Sequence, residues 1–598
     1  MLNLRNCGAF AIILLGLANI ACAAENSGIA YEVSLKDAAS HYADVSITFQ
    51  GRNGAQIQMP VWNATYIVRD FAVHIGQVQA SSSGAPVPVV AINKDTWQAK
   101  PGAVLATPIT FRYRILLSEP GPFGADVSSE HAFFNFAQAL AYPVGQEHVK
   151  ELVSLRITDA PAGWKIATAL TRENGATGFS LRASSYDELV DSPTELGNFQ
   201  ERDFQEGGKH YRVVVHGKPG DYDLSRMAAE CQKIVRAETD FMHEAPYEEY
   251  TFLYHVEPNG GGGMEHKYST AIGLRPLTSD EAWRGFEGVT AHEFFHLWNV
   301  KRIRPQTLEP VDYTKEQYTR DLWFSEGFTS TVAQYALLRA GLESLPQFEK
   351  HLSQTIQNFR ERPAHLWQSP QESSLETWYD KYPFYSSPER SISYYTSGEL
   401  IGYALDLALR EKTGGKKSLR DLFLWMNETY PHQGKFFPET RGEFGAAEAV
   451  SGADFQQFFS TNIDRAGDLP MEEALATAGL KLQQTNVAVG DVGFRVGRGS
   501  TVIAEIDGEP AKAAGLQVGD EIVELNGQPA GRALQRRLAS AAAGSQLHLK
   551  FLRSGVESSL TVPVVGRQAV QWQIIEAPNA TPRQVARRKA WVRSEDQP

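Results

Sequence analysis

Two histidines four residues apart, with a glutamate directly after the first, stand in VTAHEFFHLWNVKRIRP, residues 289–305. On a helix, positions i and i+4 share one face about one turn apart, so His292 and His296 can direct both imidazoles at a single point. Glu293 then points partly off that line, where it can address a water beside a bound metal without ligating the metal. Two ordinary helix histidines would give the same pattern, so the metal reading needs a third ligand from another element. DLWFSEGFTSTVAQY supplies Glu326, at or near the start of an apolar-periodic helix, with Trp323, Phe324 and Phe328 placed to bury it. A carboxylate among aromatics is costly unless it is paired or bound to a cation, whereas a helix-capping glutamate stabilised by the dipole is the plainer alternative. Two nitrogen ligands and one carboxylate with an open position favour one zinc ion.

A second stretch, PNGGGGMEHKYST at 258–270, follows a strand. Gly260 to Gly263 carry no side chains, which lets another backbone approach closely and pair with the edge. Gly262, Gly263, Met264, Glu265 and His266 are therefore the candidate substrate-binding residues. A carboxylate at Glu265 could hold a free substrate α-ammonium and restrict cleavage to the first peptide bond; a mobile loop with incidental charges is the alternative. No Gly-Lys-Ser/Thr follows, so a phosphate loop is rejected. Lys301, Arg302 and Arg304, with Pro305, suit the end of the His292 helix, and a pairing with a carboxylate that supports the site is the other reading.

These residues need elements to position them. From about 28 to 218 the pattern is strand-like: Ile109, Phe111, Tyr113, Ile115 and Leu117 alternate with more polar partners, and YADVSITFQ, KELVSLRIT and HYRVVVHG repeat the pattern between turn-forming clusters. That predicts a β-sandwich-like domain. The period then changes, with Met227, Cys231, Ile234 and Phe241 at helical spacing, and helices dominate to about 480. Residues 483–566 return to short strands. There VGFRV offers a glycine-containing loop and GDEIVELNG reads as a strand ending in a tight turn. With AKAAGL preceding it, this segment resembles a PDZ domain, with Val492, Gly493 and Phe494 at that family's carboxylate-binding loop. The tail holds Arg583, Arg587, Arg588, Lys589 and Arg593 around Trp591, and a solvated helix face docked by the tryptophan is expected over a binding patch.

The length, 598 residues, is too great for one core, and a 42% hydrophobic, 21% charged composition is that of a globular protein. A net charge of -13 argues against a nucleic-acid partner. The opening residues place Arg5 before an apolar run from about Ala9 to Ile20, then ACA ahead of Ala24, which predicts a secretory signal too short to span a bilayer. Export to a periplasm or outside the cell is expected, with lipid attachment at Cys22 as the alternative. The mature chain would then keep only Cys231, form no internal disulfide and contain no transmembrane segment.

GGMEHKYST, HEFFHLWNVKRIRP, WFSEGFTS and SYYTSGEL, in this order and ahead of the PDZ-like segment, resemble the glycyl aminopeptidase family of zinc metallopeptidases over nearly the whole mature chain. The resemblance implies a multidomain α+β protein with a β-rich N-terminal domain, a mainly helical thermolysin-like peptidase domain and a C-terminal PDZ domain, matching the division read from the residues: a signal at 1–24, an N-terminal β domain at 25–220, the peptidase domain at 221–480, the PDZ domain at 481–566 and a tail at 567–598. It implies His292, His296 and Glu326 as zinc ligands and Glu293 as general base. Similarity to the wider gluzincin aminopeptidases, whose motifs read Gly-x-Met-Glu-Asn and Tyr-x-Lys-Gly, implies Glu265 as the amine anchor and Tyr395 as the oxyanion donor. Two departures stand out: His266 replaces asparagine, and Ser397 replaces lysine with Tyr394 adjacent to Tyr395. The implied activity is removal of an N-terminal glycine or alanine from peptides with a free N-terminus, with a peptide C-terminus as the PDZ ligand. Alternatives are a zinc endopeptidase with PDZ-recruited substrates and a PDZ scaffold with an inactive peptidase domain.

Overall fold

The computed structural model describes residues 28–593, apart from 52–53, 64–65, 101–107, 174–177, 381–387, 498–499, 506–508 and 532–533. The expected signal and Cys22 lie outside the described residues. The chain divides into two compact units, Met1–Thr65 with Arg69–Gln200 and Tyr66–Val68 with Glu201–Pro598.

The first unit is β-rich. Its largest sheet has eight strands, with Ile29–Ser34, Tyr42–Phe49 and Ile109–Leu116 as consecutive neighbours near its centre. Ile109–Leu116 buries Ile109, Phe111, Tyr113 and Ile115 on one face, as the alternation predicts. It pairs antiparallel with Tyr42–Phe49, Leu116 opposite Tyr42. Two four-stranded sheets complete the unit.

In the second unit a five-stranded sheet runs Gln200–Glu206, Lys209–Gly217, Glu249–Val256, Ser269–Leu274, Gly263–Glu265. Lys209–Gly217, which contains HYRVVVHG, is therefore not a partner of the N-terminal strands. It pairs in parallel with Glu249–Val256 through the helical crossover Leu224–Met242. That helix buries Met227, Cys231, Ile234 and Phe241, and the Asp223 carboxylate caps it by accepting from the Ser225 and Arg226 amides. Cys231 is the one free cysteine among the described residues, and burial pushes its thiol up to about 12.

Helices Asp280–Phe295, Thr329–Ala340, Leu345–Arg360 and Tyr394–Thr413 form the helical part around the site. Two glycines set one of its closest approaches. A Cβ on Gly398 would lie 1.9 Å from the Trp323 carbonyl oxygen, and one on Gly327 would lie 2.3 Å from the Gly398 Cα. The Glu326 segment and the Tyr395 helix thus touch backbone to backbone.

Residues Val492, Phe494, Val502, Ile522 and Leu549 belong to a separate core farther along the chain, under the four-stranded sheet Gln528–Pro529, Glu521–Leu525, Gln546–Arg553, Val556–Pro563. A two-stranded ribbon frames it: Leu480–Asp491 pairs antiparallel with Val565–Glu576 over twelve residues each. Most of the second strand is exposed, which is why its sequence reads as tail and not as strand. Helix Pro582–Arg593 then docks through Trp591, whose indole Nε1 donates to the Tyr335 hydroxyl at 2.6 Å; that hydroxyl donates to Asp406 Oδ2 at 3.0 Å. Trp591 docks this helix as expected, and Arg583, Lys589 and Arg593 are exposed, but Arg587 is buried and pairs with Glu411, so the basic face is not solvated throughout. Among the described residues no helix is long and apolar enough to cross a membrane.

Candidate active site

The helix Asp280–Phe295 starts at Ser279, whose Oγ accepts from the Ala282 amide at 3.2 Å, with Asp280 and Glu281 in the first turn where the dipole favours them. Just over three turns later it presents His292, and His296 closes the helix with right-handed helical backbone angles, so the i, i+4 relation survives. The His296 Nδ1 donates to the Asn299 carbonyl at 2.5 Å, which leaves the Nε2 lone pair free for a ligand. His292 Nδ1 faces Ser330 Oγ at 3.2 Å; that hydroxyl donates to the Glu326 carbonyl at 3.0 Å and so accepts from the imidazole. The two Nε2 atoms lie 3.0 Å apart, and Glu326 Oε2 is 3.3 Å from His292 Nε2 and 3.2 Å from His296 Nε2. One ligand atom from each residue lies within 4.8 Å of the others, a group that could hold a metal ion.

Glu326 sits on a π-helical turn, Trp323–Phe328, whose residues are all buried. Such turns re-aim side chains within otherwise regular helices. Asn299 holds this turn in place: its Nδ2 reaches the Phe324 carbonyl at 3.0 Å, the Ser325 carbonyl at 3.3 Å and Thr329 Oγ1 at 3.2 Å. One residue therefore supports ligands on both elements, His296 through its carbonyl and Glu326 through its side chain. Sequence reasoning missed Asn299 and Ser330, since neither stands in a spacing that signals a supporting role.

Burial alone would raise the Glu326 carboxyl, but the charge of His296 and hydrogen bonds from both histidines hold it well below the usual carboxylate range. Burial lowers His292, whereas at His296 burial is outweighed by Glu326, Glu265 and Glu293, which push it up to about 10. Two directed imidazole nitrogens and an ionised buried carboxylate fit the donor set that zinc requires. Beside them Glu293 is buried, and desolvation, with Glu265 and Glu326 opposing His296, pushes it up to about 8. Its Oε2 has no hydrogen-bond partner among the described residues. Glu265, Glu293 and His296 form a second convergent group within 4.8 Å.

The glycine stretch packs onto this base. A Cβ at Gly263 would lie 2.3 Å from Glu293 Oε1, so only glycine allows the approach. Gly263–Glu265 is the outer strand of the five-stranded sheet, paired with Ser269–Leu274 so that Glu265 faces Thr270. Gly262, at φ 84, accepts from the Gly273 amide at 2.9 Å. Met264 is buried, its carbonyl accepting from Thr270 Oγ1 at 3.0 Å, and the buried His266 donates its amide to the Ser269 carbonyl at 3.0 Å, closing the hairpin.

The two tyrosines differ in placement. Tyr395 is half-buried with its ring centroid 6.0 Å from that of His292. Tyr394 is buried, stacks on Tyr395 at 4.8 Å and has its hydroxyl 3.2 Å from Thr377 Oγ1. Ser397, which replaces the lysine, donates to the Ser393 carbonyl at 3.0 Å inside its own helix. Beyond the zinc-type helix, Arg302 donates to the Leu297 and Pro246 carbonyls, and Arg304 pairs with Glu309 at 3.1 Å, so both hold the chain's path. In the last core, the Gly493 amide donates to Asp491 Oδ1 at 2.9 Å, and Gln535 Nε2 donates to the Val496 carbonyl at 2.8 Å.

Comparison with known proteins supplies the family context. Residues 285–401 match the M61 glycyl aminopeptidase family, residues 30–198 the peptidase M61 N-terminal domain and residues 484–564 the PDZ domain. An aminopeptidase N family protein from Idiomarina loihiensis is similar at 25% identity and a TM-score of 0.81, over 94% of this chain and 100% of that one. An M1 zinc metallopeptidase from Deinococcus radiodurans is more distant, 14% identical at a TM-score of 0.46, over 73% of this chain and 93% of that one. No curated protein matches the chain.

Proposed function

This chain carries the domains of the M61 glycyl aminopeptidase family joined to a PDZ domain, and from that premise we propose a zinc-dependent aminopeptidase that removes N-terminal glycine or alanine from peptides. The observation that carries the reading is the meeting of His292, His296 and Glu326 beside a buried, partly unsatisfied Glu293 and the edge strand that bears Glu265. Zinc held by the three ligands would supply Lewis acidity and lower the pKa of a water toward neutrality. The residues around it have separable tasks. Glu265 pairs with the substrate ammonium and fixes the first residue, while the outer edge of Gly263–Glu265 offers backbone groups to the peptide. Glu293 Oε2 accepts a proton from the water and returns it to the leaving amine. The Tyr395 hydroxyl donates to the carbonyl oxygen as charge builds there. Tyr395 suits this task better than Tyr394, whose hydroxyl is already engaged by Thr377.

The proposal extends to the rest of the chain. Peptide C-termini are the proposed ligands of the PDZ domain, and export to a periplasmic or extracellular compartment is proposed from the apolar run at Ala9–Ile20. Matched peptides with free and acetylated N-termini test the activity. Release of free glycine or alanine only from the unblocked peptide is expected; internal cleavage of both would make the enzyme an endopeptidase, and cleavage of neither would leave a scaffold.

A further inference from the structure

Two hydrogen bonds within the segment that matches the PDZ domain stand where a ligand would make its own. The strand Phe494–Val496 pairs only with Val502–Glu505, so among the described residues its other edge carries no strand. PDZ domains take an extended peptide as an added strand at such an edge, and backbone amides can capture a terminal carboxylate. Here Gln535 Nε2, on the helix Leu534–Ala539, donates to the Val496 carbonyl at 2.8 Å. A side-chain amide N–H thus occupies an acceptor that the backbone N–H of an added strand would use.

The loop just before the strand repeats the pattern. The Gly493 amide donates to Asp491 Oδ1 at 2.9 Å, so a carboxylate already sits on the loop where a peptide's terminal carboxylate is expected. Gly493 has φ 72, and a Cβ on it would lie 2.9 Å from Glu509 Cβ, so the turn that presents this amide requires glycine. An aspartate bonded two residues on is also an ordinary turn motif. What sets this one apart is that Gln535 reaches the end of the same strand from a distant segment, so both ends of one ligand path are filled from within. Asp491 also pairs through Oδ2 with Arg567 Nε at 3.1 Å, and keeps that partner when Gly493 lets go.

Both walls of the groove are tied to the peptidase segment. Arg495 Nη2 donates to Glu389 Oε1 at 2.7 Å, and Arg536 Nη2 pairs at 3.2 Å with Glu281 Oε1, in the first turn of the His292 helix. Exposed pairs of this kind contribute little each, but they make the setting of the groove a property of the full chain.

We propose that the groove of the PDZ domain is self-occluded: Asp491 stands in for a ligand's terminal carboxylate and Gln535 for a backbone amide, so a peptide C-terminus binds by displacing both. The occlusion rests on the reading that peptide C-termini are the ligands of this domain. Because the ligand replaces bonds that already exist, its affinity for the native chain is low, and removing either stand-in raises it.

Fluorescence anisotropy with the full chain and its Asp491→Ala and Gln535→Ala variants tests this. The probes are hexapeptides capped at the N-terminus with fluorescein, which keeps them from being aminopeptidase substrates. They end in alanine, valine, leucine or phenylalanine, each as the free acid and as the amide. Gln535→Ala should bind the preferred acid about two- to tenfold more tightly, the equivalent of one net neutral hydrogen bond, and Asp491→Ala roughly tenfold or more, because its bond is charge-assisted. Gln535 is exposed, so its substitution decides the matter should Asp491→Ala not fold. Acids that bind no more tightly to either folded variant than to the native chain overturn the occlusion and leave the ligand reading standing. Amides that bind as well as acids, or an absence of binding by every form, remove the ligand reading and the occlusion with it.

Discussion

Gly263→Ala tests the packing of the glycine stretch on the proposed base. The added Cβ would stand 2.3 Å from Glu293 Oε1, 2.4 Å from Cδ and 2.5 Å from Cγ. Ordinary carbon contacts begin near ~3.5 Å, so the carboxylate and the strand must part by about 1 Å. No backbone strain adds to this, because Gly263 is not in the left-handed region. Misplacement of a catalytic group by about 1 Å can cost ~100-fold in rate. The expected result is a kcat lowered by about that factor with zinc content unchanged, since the three atoms nearest the new Cβ all belong to Glu293, which is not a proposed ligand. Gly288→Ala is the control: it lies on the same helix as Glu293 and its Cβ would meet nothing within 4 Å. Steady-state kinetics with an alanyl substrate, paired with metal analysis, reads the outcome. Full kcat in Gly263→Ala, or a loss of zinc in parallel with rate, would refute the assignment of Glu293 as the displaced base.

Tyr395→Phe should lose about 100- to 1,000-fold in kcat, the usual cost of one oxyanion donor, whereas Tyr394→Phe should keep kcat and lose only about 1 kcal/mol of stability with its Thr377 bond; the reverse pattern in paired kinetics would transfer the role. Trp591→Ala removes the ring that contacts Phe348 and Tyr403 and leaves the Tyr335 hydroxyl without its indole donor, so denaturant unfolding should show a loss of about 3–5 kcal/mol; a change below 1 kcal/mol would mean that the last helix docks weakly. Asp321 is fully buried, and desolvation with Glu439 nearby pushes it up from 3.8 to about 8, while burial and Asp321 also raise Glu443. A raised folded pKa favours the protonated native state, so this stabilisation is complete below about pH 4 and is lost as pH rises to about 8, with a slope of up to ~1.4 kcal/mol per pH unit. Asp321→Asn should flatten that fall in unfolding free energy between pH 5 and 8; an unaltered slope would clear Asp321 of responsibility.

Much of the site is legible in the sequence because its signals are local. The spacing of His292 and His296 fixes one helical face, and a glutamate among Trp323, Phe324 and Phe328 declares a buried charge in need of a partner. The residues that were not legible depend on contacts between distant segments. Nothing around Gly263 announces that Glu293 will rest against it, and the π-helical turn at Glu326 follows from how Asn299 and Gly398 engage that segment. Strand pattern has the same limit: the alternation in Lys209–Gly217 identifies a strand but not its partner, which is how a member of the second unit's sheet resembles one of the first. The twelve-residue ribbon partner at Val565–Glu576 is too exposed to show an apolar face at all.

The central claim is that His292, His296 and Glu326 bind one ion together, and metal analysis of the purified protein beside Glu326→Ala tests it most directly. One equivalent of zinc per chain in the native protein, and a loss of at least tenfold in zinc affinity in the variant, is the predicted result. Native protein without zinc after exposure to it, or a variant that retains a full equivalent at native affinity, would contradict it.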